Sequence, residues 1–151
     1  MAKTYRVGAM NRLVNAVFSA MTRRGLGRAD RHVLTVRGRR SGIDRSVPVD
    51  VMSCADGGRF VVAAYKVGGW VHNVREAGEV TLSRGGRTER LRAVELPPEQ
   101  CVPVLRQYLR EVPVTRPYFD ITADSPDSAV IAESVRHPVF RLEALPAPAT
   151  P

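Results

Sequence analysis

Cysteine is scarce in this chain: Cys54 and Cys101 are the only two among 151 residues. That excludes a disulfide framework and any four-cysteine zinc site. His32, His72 and His137 are the only histidines, and their spacing is not that of a metal-binding set. No Ser-His-Asp or Cys-His arrangement is legible around them, so nucleophilic catalysis of the hydrolase type has no support. Lysine is nearly missing, with Lys3 and Lys66 alone. Aromatic residues make up only 6% of the chain. No apolar run approaches the roughly 20 residues that a helical bilayer span requires. Internal repeats and interior domain boundaries are also missing, and the length suits one domain.

What is present is a core and a lopsided charge. Hydrophobic residues are 44% of the total, enough to exclude wholesale disorder. The net charge is +8, and 21 of the 23 cationic side chains are arginines. An arginine fork matches the edges of phosphate and carboxylate groups, which points to an anionic partner, although base composition alone produces the same bias. The charge is concentrated: residues 22–46 hold eight arginines against Asp30 and Asp44, or +6 of the net +8. A nucleic-acid partner is not expected, because no helix-turn-helix, zinc or RNA-recognition motif accompanies the charge.

The start of the chain faintly imitates a signal peptide, with Lys3, Arg6 and Arg12 ahead of the apolar stretch 13–20. Asn15 interrupts that stretch and Thr22-Arg23-Arg24 follows it, so the expectation is a cytoplasmic protein. Val7, Met10, Val14, Val17 and Met21 step by three and four, which predicts an amphipathic helix within residues 1–29. Its stripe either covers one side of a core or rests peripherally on a lipid surface.

Past residue 30 the pattern becomes extended. Strands are predicted at 33–36, 46–54, 59–64, 79–84, 87–96 and 138–142, with turns at Gly57-Gly58 and Gly85-Gly86. Short helices are predicted at 70–77, from Pro97-Pro98-Glu99 onward, and at 127–135; residues 115–126 read as a loop carrying aromatics. Six short strands joined by hairpins imply an antiparallel sheet, and a small barrel is the economical way to close its edges. The expected layout is a mostly β, α+β single domain over residues 1–145 with a disordered tail at 146–151.

Between the first two strands stands Gly38-Arg39-Arg40-Ser41-Gly42, followed by Arg45. Arginine forks, a hydroxyl and glycine-flanked amides are what a phosphate site uses, and a solvated basic loop has the same composition. The order of the pieces adds to this. That turn, then Arg45 and Pro48, then Ala63-Ala64-Tyr65-Lys66, then Gly68-Gly69-Trp70-Val71-His72-Asn73 resembles the deazaflavin-dependent nitroreductase and quinone reductase family, mainly over residues 30–96. The resemblance implies a split β-barrel of the FMN-binding type that binds reduced coenzyme F420, a deazaflavin with a phosphate and an oligoglutamate tail.

Carried over to this chain, the resemblance implies that Arg39, Arg40, Ser41, Gly42 and Arg45 hold the phosphate and the start of the tail. Pro48, Ala63, Tyr65 and Lys66 would line the ring, with Trp70 and Asn73 closing that side. The further arginines Arg23, Arg24, Arg28 and Arg31 would face the tail. Tyr65 stands where the family usually has a serine or threonine, and fewer residues separate it from the tryptophan than is usual. The implied reaction is hydride transfer to a small electron-poor acceptor (a quinone, an activated alkene or a nitroaromatic), with Tyr65, Tyr118 or solvent as proton source. Tyr118-Phe119 would lie over the substrate, or plug the fold. Trp70 likewise reads either as core or as part of the site. Alternatives on the same barrel are a non-catalytic F420 or fatty-acid carrier and an FMN-dependent oxidoreductase, and split barrels of this kind often form homodimers.

Overall fold

The computed structural model describes residues 31–145 except 55, 56 and 66. The predicted N-terminal amphipathic helix, the tail and Lys66 therefore lie outside the described residues. Six strands form a closed barrel: β1 (Arg31–Arg37), β2 (Asp44–Ser53), β3 (Arg59–Val62), β4 (Glu79–Arg84), β5 (Arg87–Glu95) and β6 (Val139–Ala144). Around the barrel they run β1-β2-β3-β6-β5-β4, every pairing is antiparallel, and β4 returns to β1. The expected small antiparallel barrel with flanking helices is the fold. Closure gives every strand a hydrogen-bonded neighbour on both sides over part of its length.

Inside the barrel, Leu34, Val36, Val49, Val51, Val61, Leu82, Leu91, Phe140 and Leu142 interdigitate. Each large apolar side chain withdrawn this fully from water contributes about 1.5–3 kcal/mol. Helix α1 (Gly69–Ala77) seals one end with Val71 and Val74, and its last turn closes through the Gly78 N–H to the Val74 carbonyl at 2.8 Å. The helix is short because Gly78 follows, as the sequence predicts.

A second core lies outside the barrel wall. Met52 of β2, Phe60 and Val62 of β3 and Val139 of β6 point away from the interior. They meet Cys101, Val104, Leu105, Tyr108 and Leu109 of α2 (Pro98–Glu111). Pro98 opens α2 where a missing N–H costs nothing, and Pro103 sits inside the helix. The segment expected to be a loop begins as a 3₁₀ turn at Pro113–Tyr118, before α3 (Asp127–Ser134). Proline at 113 and 117 presets the backbone angle that such a turn uses.

His137 fastens this outer layer to the barrel. Its ring is fully buried, with Nδ1 2.8 Å from the Ala63 carbonyl and Nε2 3.0 Å from the Tyr118 carbonyl. Phe119 stacks on the imidazole at 3.8 Å between centroids, and the buried Glu133 carboxylate lies 3.8 Å from Nε2. Glu133 is itself held by the Asp120 amide and the Arg136 guanidinium. Burial holds the His137 pKa below its ordinary value, outweighing the raising effects of the two carbonyls and of Glu133. In the unfolded chain the ring takes up a proton near pH 6.5, so below that pH the unfolded state binds more protons than the folded one. Stability from this residue is thus present above pH 6.5 and lost as pH falls toward the depressed folded value. Urea denaturation at pH 8 and pH 5 should show this as a slope of at most about 1.4 kcal/mol per pH unit that His137→Gln lacks. Parallel pH profiles for the two proteins would show that folding leaves the proton affinity of His137 unchanged.

Candidate functional site

The turn between β1 and β2 is built on two glycines, one with no room for a side chain and one in a left-handed conformation. A side chain on Gly38 would place its Cβ 2.8 Å from the Ile43 carbonyl and 2.9 Å from Ser41 Oγ. Gly42 takes the left-handed conformation, φ 71°, which other residues adopt at a cost. The turn is tied within itself: Gly38 N–H donates to the Ile43 carbonyl, Gly42 N–H to the Gly38 carbonyl, and Ile43 N–H to Ser41 Oγ. These three amides are committed internally and take no part in binding an anion.

Arg39 and Asn73 connect the turn to α1. The buried Asn73 Oδ1 accepts from the Arg39 backbone N–H at 3.1 Å and from its guanidinium at 2.8 Å. The same guanidinium donates to the Gly69 carbonyl at 3.3 Å. On one side Arg39 borders an open groove of about 820 Å³, together with Arg37, Arg40, Ser41, Gly42 and Arg90. On the other it touches Gly69, which lines a smaller cleft of about 220 Å³.

That cleft sits in the seam between the barrel and the outer layer. Pro48 and Val49 of β2, Ala64 and Tyr65 after β3, Gly69 and Trp70 of α1, and Tyr108 of α2 line it. Trp70 is half-buried against the barrel core, its ring 6.0 Å from Phe140. Tyr65 is 44% exposed and meets Tyr118 edge to face at 4.8 Å, so the two proposed proton sources stand together at the rim. The structure thus brings Pro48, Tyr65 and Trp70 to one cleft, with Tyr118 beside them, and puts Arg39, Arg40, Ser41 and Gly42 along the adjoining groove.

Four residues take other positions. Ala63 is buried among the barrel-core side chains, and strand alternation hands the cleft to Ala64 instead. Asn73 is the latch for Arg39 rather than a lining residue. Arg45 is exposed on β2, its Cγ 3.9 Å from the position a Gly38 Cβ would occupy. Arg31 does not join the arginine groove: it pairs across the sheet with Asp50 inside the cleft, Nε to Oδ1 3.0 Å.

Sequence reasoning missed the polar wall of this cleft. Asp50, Tyr108 and Thr115 are 8%, 2% and 2% exposed, yet all three line it with Arg31. Burial, reinforced by the Asp50 charge, pushes the Tyr108 phenol up, and its hydrogen bond with Thr115 offsets that in part. The only available signal was a lone aspartate among the valines of β2. Elsewhere, burial pushes the Cys101 thiol up to about 11, so it is no thiolate at neutral pH. Among the described residues no group of histidine, cysteine or carboxylate side chains could hold a metal ion, and no helix is long and apolar enough to cross a membrane.

No curated protein matches the chain. Solved structures do match it in fold. An Agrobacterium tumefaciens protein of unknown function aligns at 18% identity and TM-score 0.54, covering 85% of this chain, which spans 53% of that protein's length. A structure described as a domain-swapped dimer aligns at 20% identity and TM-score 0.57, covering 89% of this chain and 96% of its own. A structure described as an F420-H2 dependent reductase, FDR-A, aligns at 22% identity and TM-score 0.52, covering 76% of this chain and 95% of its own. The family described as F420H(2)-dependent quinone reductase matches residues 10–125, and the chain belongs to that family of deazaflavin-dependent oxidoreductases.

Proposed function

We propose that the protein binds reduced coenzyme F420 with its ring in the cleft and its phosphate and tail along the arginine groove, and reduces a small electron-poor acceptor at the cleft mouth. The observation that carries this reading is Arg39, which borders the groove and touches the cleft rim through Gly69. A ligand with a planar head and a polyanionic tail needs such continuity between a flat slot and a groove that carries arginines, here Arg37, Arg39, Arg40 and Arg90 among the carboxylates Asp44, Glu76 and Glu79. The residues fit both parts. The groove offers guanidinium groups and the Ser41 hydroxyl to phosphate and carboxylate oxygens. The cleft, at about 220 Å³, is smaller than the ~300–1,000 Å³ of a pocket enclosing a whole ligand, as suits a ring whose substituent leaves it. Its buried carboxylate also suits an acyl chain poorly, which weighs against the fatty-acid carrier.

When bound, the reduced deazaflavin supplies a hydride from its central ring carbon. The protein's part is geometry. Trp70 and Pro48 would bracket the ring plane, and Arg39, fixed by Asn73, would hold the phosphate end in register with it. Tyr65 would narrow the approach of the acceptor from the rim. Tyr65 and Tyr118 each carry a hydroxyl proton donor within reach of an acceptor at the rim. A quinone, an activated alkene or a nitroaromatic each meets these requirements. A homodimer is part of the same reading, supported by the relative described as a domain-swapped dimer.

Titration of the protein with F420, followed by absorbance, tests the reading directly. Arg40→Ala should weaken binding about ten- to a hundred-fold, the worth of one charge-assisted contact, without moving the urea midpoint. Arg39→Ala should weaken it as much and also lower stability, because it unlatches α1. Unchanged affinity in both would remove the turn from the site.

Salt separates F420 from FMN. The extra carboxylates of the tail should make F420 bind more tightly than FMN at low ionic strength, with the advantage shrinking as salt rises. Equal affinities at low salt would instead favour the FMN-dependent alternative.

Tyr65 is tested by a pair of variants under steady-state turnover. Tyr65→Ser should keep cofactor affinity within a few-fold and widen the range of bulky acceptors reduced. Tyr65→Phe should leave kcat largely intact; a loss of about a hundred-fold or more would identify Tyr65 as the proton donor.

A further inference from the structure

Asp50 is an unusual residue to find in a ring-sized cleft. Its side chain is 5% exposed and forms an ion pair with Arg31 of the neighbouring strand at 3.0 Å. Trp70 and Pro48 line the same cleft, so the pair interrupts largely apolar surroundings with one anionic acceptor and one cationic donor side by side. An ionised carboxylate only accepts hydrogen bonds, whereas guanidinium only donates them. The Tyr108 phenol and Thr115 hydroxyl do not change that polarity. Thr115 donates its single hydrogen to the Val112 carbonyl at 2.8 Å, which leaves its oxygen as an acceptor. Toward the cleft the wall therefore presents acceptor oxygens together with the Arg31 donor. A planar group that fits it carries an N–H beside a carbonyl.

Resting on the cofactor reading above, we propose that Asp50 and Arg31 read the imide edge of the deazaflavin ring, with the Asp50 carboxylate accepting from the imide N–H and Arg31 donating to the adjacent carbonyl. Asp50 is then a specificity-determining residue for the ring, separate from the groove that binds the tail. The cross-strand pairing of residues 31 and 50 sets the donor and the acceptor side by side. A ring without the imide N–H would leave a buried carboxylate facing a group that cannot satisfy it, and buried charge penalises such a mismatch heavily.

Trp70, the only tryptophan of the chain, lines the cleft, so quenching of its emission reports ring occupancy without turnover. Two probes are titrated: a neutral deazaflavin lacking phosphate and tail, and the same ring methylated on the imide nitrogen. Wild type should prefer the unmethylated ring by about tenfold or more. Asp50→Ala should reduce that preference to within about threefold. Asp50→Asn, isosteric but uncharged, should fall between the two. Urea midpoints of both variants report folding, and if the alanine variant does not fold the asparagine variant decides alone. Equal affinity of wild type for the two rings, or one preference shared by wild type and both variants, would overturn the role of Asp50 while leaving the cofactor reading intact. Failure of wild type to bind either ring, or F420 itself, would overturn the cofactor reading and this inference with it.

Discussion

The arrangement depends on the pairing of β1 with β4, the contact that closes the sheet into a barrel. It is short, with Val33, Leu34 and Thr35 opposite Ser83, Leu82 and Thr81, but without it both strands would be open edges. Because β1 is held on both sides, its two ends are fixed in space. One end carries Arg31 into the cleft beside Asp50; the other runs into the Gly38 turn and the arginine groove. The two halves of the candidate site are thus separated by one strand of seven residues. Their relative position is set by backbone pairing rather than by flexible side chains.

The second constraint is the seam between the two cores. Side chains from successive positions of β2 and β3 go alternately to the barrel interior and to the helical layer, so those strands are buried on both faces. Polar groups caught in such a seam are brought against one another. His137 lies between the carbonyls of Ala63 and Tyr118 and as a neutral ring donates to one of them, Glu133 gathers the Asp120 amide and Arg136, and Asp50 pairs with Arg31. The His137 bridge has a functional consequence, because Ala63 and Tyr118 precede or contain the residues of the tyrosine pair at the rim. A fully buried imidazole therefore sets the spacing of two side chains that stand in partial solvent.

Arg39 shows how a residue can serve binding and folding together. Its backbone and side chain both donate to Asn73, so the turn that would meet the anion is locked to the helix that carries Trp70. The sequence motif contains both residues, 34 positions apart, and on its face assigns them to different parts of a ligand. Their contact explains why an arginine turn and a Trp-x-x-Asn helix would occur together.

Much of this was legible without coordinates. Alternating valines announced the strands, paired glycines the hairpins, Pro97-Pro98 the start of α2, and Gly78 the end of α1, because those signals act through local backbone energetics. The arginine cluster and the glycine-flanked turn were likewise local, and together with the Tyr65–Asn73 region they carried the family resemblance. What no local signal carried was which face of a strand would be covered. Asp50 falls at a position that alternation alone sends to solvent; Tyr108 of α2 and Thr115 of the 3₁₀ turn, more than fifty residues later in the chain, cover it and make it the wall of a cleft. By the same parity Ala63 turned inward and Ala64 took its place, and Arg31 left the arginine cluster for a carboxylate on the next strand. The sequence alone determined the elements and their turns, since each follows from neighbours within a few residues. Only the tertiary structure decided which polar groups are buried together, because burial is conferred by whatever packs on a face from elsewhere in the chain.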